Sequence, residues 1–360
     1  MSYIITFLSI SLIIFFHELG HYILAKRCGM KVERFGMGMG PVIQIGKFKC
    51  SVTKNDTEYC FCWFPIGGFC QIKGEEEDST DEDSYNAKPP LAKFLVAFSG
   101  PFTNILVTWL ILIIFLTFIG DPFQSKIAEV KPGFPALSAG FKVDDLIVGV
   151  NGKIVESWVQ IQTVIGNSIG KEISLIIVRD GQELTVPVVP VEYKEDKPTP
   201  EPKEKEEKRI EPIGVIGIMV KPSNKTVSFR RAILGSIKKM GQFFVEFLRF
   251  FGKLFTGKVN LKNVGGIVQI VKIGSDTAKV SFSAFIMFMA FLSLNLGVLN
   301  LFPFPPLDGG KIVFALIEAI SRKKVNKKVE IWVNTIGFFI LISLIILVSI
   351  KDIIGLFIRS

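Results

Sequence analysis

The chain has two histidines, and they sit four residues apart in FFHELGHYIL (15–24), with Glu18 directly after the first. On a helix, positions i and i+4 share a face. His17 and His21 so placed can hold one zinc ion, and Glu18 beside them can act as general base toward water. The surrounding residues are apolar enough for a membrane span. An ionisable group there is costly and marks a functional site. A catalytic zinc takes three protein ligands and keeps one position open. With no third histidine, the remaining ligand must be a carboxylate or a thiol. The foremost candidate is Asp308 in NLFPFPPLDGG (300–310), which follows another apolar run. Its prolines and glycines exclude a regular helix through the stretch. Irregular backbone at membrane depth is tolerated where it lines a water-filled cavity.

The elements that must bring these groups together are mostly membrane spans. Hydrophobic residues make up 49% of the 360, and the mean hydropathy is +0.44. Four apolar runs have the length of a span, at 3–25, 94–119, 283–302 and 331–350. The first lacks the basic start and small-residue cleavage site of a signal peptide and is read as a retained helix. The net charge of +9 does not indicate nucleic acid, because much of it flanks the spans. Lys26, Arg27, Lys31 and Arg34 follow the first, and Lys311, Arg322, Lys323, Lys324, Lys327 and Lys328 separate the last two. Both segments are assigned to the cytoplasm, and the region between the second and third spans to the outside. His17 and Asp308 then meet at one depth, provided 226–256 does not cross. Its Arg230, Arg231, Lys238, Lys239, Glu246, Arg249 and Lys253 suit a helix lying on the membrane surface instead.

Cys28, Cys50, Cys60, Cys62 and Cys70 all fall in the first cytoplasmic segment and are expected as free thiols. Cys60-Phe61-Cys62 lacks the usual metal-site spacing. EEEDSTDEDS (75–84) reads as a solvated acidic loop. The stretch 124–192 has soluble character. It contains turns at Pro-Gly and Asn-Gly, a helix near 157–166, and two strands about an Asp180-Gly181 hairpin. The Pro- and charge-rich 194–209 is expected to be a disordered loop inserted in this domain, because a strand resumes at 212–220. The domain plan is therefore 1–119, a first membrane region with a β segment at 33–73. Then come a soluble domain at 120–222, a surface helix and connector at 223–280, and a second membrane region at 281–360.

HELGH in a first span, FSGPFTN (98–104) opening a second, and NLFPFPPLDGG ending a third together resemble the site-2 protease family of intramembrane metalloproteases. The order of spans and soluble domain is similar to the bacterial RseP/RasP group, in the form with a single PDZ domain. The resemblance implies an α-helical polytopic membrane protein with about four transmembrane helices, a small membrane-associated β-sheet, and an inserted α+β PDZ-like domain. It implies Zn2+ held by His17, His21 and Asp308, with Glu18 activating water. Asn300 and Asn295 would hold substrate or the oxyanion, and Ile66, Gly67, Gly68 and Phe69 would contact an extended substrate. The implied substrates are single-span membrane proteins, namely anti-sigma factors or remnant signal peptides. A site-1-type protease acts first, in a bacterial cell membrane. Competing readings are a non-catalytic scaffold, a metal transporter, and a cytoplasm-facing zinc protease with a glutamate third ligand. Intact HELGH, the lack of an internal repeat and LDGG after a span, respectively, weigh against them.

Overall fold

The computed structural model describes all residues except 1, 47, 76, 78, 80, 120, 155–157, 194–212, 224–225, 257–265 and 360. The expected loop 194–209 lies outside the described residues. The chain divides into two compact units, residues 1–114 with 229–360, and residues 115–228.

In the first unit, α1 (Ser2–Arg27) carries HELGH. At about 1.5 Å per residue its 26 residues exceed the hydrocarbon thickness of a bilayer. It ends where Gly29 takes a φ of 68°, with Gly29 N–H bonded to the Lys26 carbonyl and Met30 N–H to that of Ala25. This is the glycine-closed C-terminus in which a left-handed residue satisfies the last carbonyls. The chain then forms β1 (Val32–Val42), the short β2 (Gln44–Ile45) and β3 (Phe48–Lys49), β4 (Ser51–Lys54) and the long β5 (Thr57–Ile72). β5 folds about β1, so that Gly36 has both Cys60 and Phe69 as register partners. The last part of β5, Gly68–Ile72, therefore has β1 on one side and no partner strand among the described residues on the other. Ala25, Met30, Val32, Phe35, Ile72, Tyr85 and Val96 form the core that joins the sheet to the helices. Burying each large apolar side chain contributes roughly 1.5–3 kcal/mol.

α2 (Pro90–Phe118) crosses α1 closely, because Gly20 faces the Ser99 carbonyl and the Thr103 side chain with no room for a methyl between. Pro101 lies inside α2, where it removes one backbone bond of the helix.

The second unit opens with β6 (Asp121–Val130) and the one-turn α3 (Pro135–Ser138), followed by β7 (Leu146–Val150), β8 (Lys153–Ile154) and α4 (Trp158–Gly166). β9 (Ile173–Arg179) and β10 (Gln182–Val188) come next, then β11 (Val191–Tyr193), β12 (Ile213–Val215) and β13 (Ile218–Ser223). The main sheet has the order β10-β9-β7-β6-β13, with β8 against β7. Asp180 and Gly181 both have positive φ, as a two-residue hairpin turn of matching twist requires. β11 pairs with β12, with Tyr193 opposite Ile213. Ile127, Phe141, Ile147, Ile161, Leu175 and Ile177 are among its buried core.

The first unit resumes with α5 (Phe229–Phe255), α6 (Ile267–Val280), α7 (Phe282–Asn300), α8 (Asp308–Ser321) and α9 (Lys327–Arg359). Phe243 and Phe251 of α5 meet Phe291 and Phe302, while Arg230, Arg231 and Lys238 are exposed. α6 was not foreseen as a helix; it packs on α1, with Gly274 against Thr6. Four helices are long and apolar enough to cross a membrane, within Ser2–Arg27, Pro90–Phe118, Phe282–Asn300 and Lys327–Lys351. They match the four runs read from the sequence, the second run extending one residue past the end of α2 and the third two residues past the end of α7.

Candidate metal centre

The sequence placed Asp308 in an irregular stretch. The structure corrects this in part, because the irregular segment is 301–307 and Asp308 is the first residue of α8. Gly309 and Gly310 let α8 fold back onto that segment. A methyl at Gly309 would collide with the Phe302 carbonyl, and one at Gly310 would lie 3.1 Å from Pro305. The reversal carries Asp308 onto α1. Asp308 Oδ2 is 2.9 Å from His17 Nε2 and 3.3 Å from His21 Nε2, and the two Nε2 atoms are 3.3 Å apart. All three residues are buried. Among the described residues they are the one His/Cys/Asp/Glu group able to hold a metal.

The donor set suits zinc, with two imidazole nitrogens and a carboxylate oxygen converging on one point. The space for an ion is kept open by Gly100 of α2. A methyl there would collide with His21 Nε2 and lie 2.8 Å from His17 Nε2. His21 Nδ1 is 2.8 Å from the Val96 carbonyl oxygen. Nδ1 is therefore the protonated nitrogen, and the Nε2 lone pair is left for a metal.

A cavity of about 320 Å³ opens on these groups, and Glu18, Asn300, Cys70, Glu75 and Lys311 also line it. Glu18 therefore borders both the ligand set and the open space. Gly68 packs on Glu18, since a methyl there would be 3.3 Å from Glu18 Cγ. Gly67 takes a φ of 86° beside Met39, and the Phe69 ring lies 5.3 Å from the Arg34 guanidinium. Of Ile66 only the backbone, within β5, is described. Asn295 does not line the cavity; its neighbour Leu296 does. The structure brings Gly68 against Glu18.

Several residues at the site were not singled out from the sequence. Glu75 was read as part of a solvated acidic loop. It is instead mostly buried, and its carboxylate accepts from Lys311 Nζ at 2.6 Å while its carbonyl accepts from Lys327. The five cysteines are free, as expected. Gly100 and Asn104 lie within the FSGPFTN motif, which was a signal without an assigned role. The Val96 carbonyl had no signal, because any residue type supplies one.

Residues 5–344 match the sequence profile of Peptidase family M50. A protein of Clostridium perfringens named "Putative zinc metalloprotease" is 34% identical over 98% of this chain and 99% of its own length. Proteins with the same descriptive name from Fusobacterium nucleatum and Campylobacter jejuni are 33% and 32% identical, over 99% and 98% of this chain and 100% and 93% of their own.

Proposed function

The chain belongs to peptidase family M50, and on that premise we propose that it is a zinc-dependent endopeptidase that cuts the membrane-spanning segments of single-span membrane proteins. The observation that carries this reading is the convergence of His17, His21 and Asp308, on helices that include a membrane-length α1, at a cavity that Glu18 also lines. His17, His21 and Asp308 are the ligands, and bound zinc supplies the Lewis acidity that polarises the scissile carbonyl. Glu18 takes the proton from the attacking water and passes it to the leaving amine. The Asn300 amide, at the cavity wall, donates to the oxygen on which charge develops. Lys311, held by Glu75, adds positive charge at the same wall.

Substrate enters as an extended strand along the unpaired side of Gly68–Ile72, where backbone pairing holds it beside Glu18. A helical segment has its backbone groups bonded internally, so it must unwind before it is cut. Ile66, Gly67 and Phe69 belong to this strand surface. Asn295, next to the cavity-lining Leu296 on α7, joins Asn300 in holding substrate. Anti-sigma factors and remnant signal peptides are the substrate classes, each first trimmed by a site-1-type protease. The PDZ-like unit between α2 and α5 lies outside and screens substrates with bulky outer domains. The site faces the cytoplasmic side of a bacterial cell membrane.

The test uses purified wild type and Glu18→Gln, with zinc counted per chain and cleavage followed on a panel of single-span peptides that includes a signal peptide. Equal zinc in both and cleavage by wild type alone supports the proposal. Absence of zinc from wild type overturns the ligand set, and cleavage by Glu18→Gln at the wild-type rate overturns the role of Glu18.

A further inference from the structure

His21 owes its orientation to a backbone carbonyl of α2, and the same helix presents a different group to His17. Asn104 is fully buried, and its Nδ2 lies 3.3 Å from His17 Nδ1. Its Oδ1 is buried and has no partner among the described residues. Oxygen and nitrogen of a side-chain amide are exchanged by turning the amide through 180°, and the hydrogen-bond network decides between the two positions.

The network favours the turned form once His17 serves as a ligand. Nε2 of His17 is the nitrogen that faces Asp308 and His21. A metal on Nε2 places the single ring proton of neutral imidazole on Nδ1. That N–H points at Asn104, where an amide NH2 would set donor against donor. With the amide turned, Oδ1 accepts the Nδ1–H bond, and its unsatisfied state is removed by the same rotation. Leaving such a buried acceptor unpaired is costly, so both effects act in one direction. The backbone at Asn104 is held in place for this. Its carbonyl accepts from the hydroxyls of Thr108 at 2.9 Å and of Ser293 on α7 at 3.1 Å.

We propose that Asn104 is a positioning residue whose Oδ1 accepts the Nδ1–H bond of His17. It thereby sets the tautomer and the ring plane in which His17 offers Nε2 to the metal. α2 then supplies one acceptor to each histidine ligand, the Val96 carbonyl to His21 and the Asn104 amide to His17. The inference rests on the zinc reading given above.

The test compares full-length wild type, Asn104→Leu, Asn104→Asp and His17→Ala in detergent. Leucine keeps the volume and removes the acceptor. Aspartate keeps the volume and offers only acceptors. Zinc affinity is read by chelator competition, metal-free thermal stability is read in parallel, and ring 15N shifts report which imidazole nitrogen carries the proton. Partners of this kind are worth about 10–100-fold in metal affinity. Asn104→Leu is expected to lose zinc affinity by about that factor, and Asn104→Asp to stay within a few-fold of wild type. The His17 ring of zinc-loaded wild type is expected to show the Nδ1–H form. Wild-type affinity in Asn104→Leu overturns the proposal, as does an equal loss in both variants, which would mean that the lost NH2 donor and not the acceptor matters. Should Asn104→Leu not fold, a loss of more than 10-fold in Asn104→Asp, or an Nε2–H form of His17 in the loaded wild type, overturns it alone. If wild type holds no zinc, or His17→Ala binds it as tightly, the ligand assignment itself is wrong and the inference falls with it.

Discussion

Gly100→Ala tests the site with the smallest change available. A β-carbon at position 100 would collide with His21 Nε2 and lie 2.8 Å from His17 Nε2, where ordinary contacts begin near 3.4 Å. The His17 side alone is thus short by about 0.6 Å. Zinc–nitrogen bonds are about 2.0–2.1 Å, with a tolerance near 0.2 Å. His21 cannot swing aside without breaking its bond to the Val96 carbonyl. The two nitrogens therefore cannot reach one ion together. Structural zinc sites with four ligands bind with roughly 10–16 kcal/mol, or about 2.5–4 kcal/mol per ligand. Loss of one ligand then corresponds to about 10²–10³-fold weaker binding. The helix itself should not suffer, since alanine favours a helix over glycine by about 1 kcal/mol. Chelator competition on the full chain measures the affinity, with melting in excess chelator as the control. If Gly100→Ala holds one zinc per chain within about 10-fold of the wild-type affinity, the metal does not sit between the two Nε2 atoms.

Lys93 and Glu318 form a buried ion pair at 2.7 Å between α2 and α8, so Lys93→Ala should cost about 3–5 kcal/mol by stranding the carboxylate. Replacing both partners with methionine should restore most of this in thermal inactivation measurements, and a double variant as weak as the single one would refute the pair's role. In the second unit, Asp145 is buried and accepts from Arg179 Nε and Nη2 at 2.7 Å each and from Lys142 N–H at 2.8 Å. Burial opposes its charge, but Arg179 and the Lys142 amide hold the carboxyl below its usual value. A folded-state value below the unfolded one adds stability that is complete above the unfolded range near pH 4 and drains away as pH falls through the folded value. Protection factors at β7, corrected for the intrinsic exchange rate at each pH, should therefore fall on acidification below about pH 5, and equal acid sensitivity in Asp145→Asn would refute the assignment.

What the sequence by itself determined is what depends on neighbouring residues. The four helices of membrane length follow from apolar runs, and the shared face of His17 and His21 follows from helical periodicity. The Asp180-Gly181 hairpin follows from residues that tolerate positive φ. Asp308 was legible as a candidate because it directly follows an apolar run, in a stretch that proline and glycine interrupt. The tertiary structure decided what depends on distant segments meeting. Asp308 starts a helix because Gly309 and Gly310 let α8 close on residues 301–307, a packing fact that residue types alone had suggested as irregular backbone. Glu75 left its acidic run to pair with Lys311, 236 positions away, because the end of β5 faces α8 across the cavity. Gly100, Val96 and Asn104 acquired their places only when α2 crossed α1 at Gly20. A backbone carbonyl has no residue signature, and a helix crossing brings together groups that no local periodicity relates.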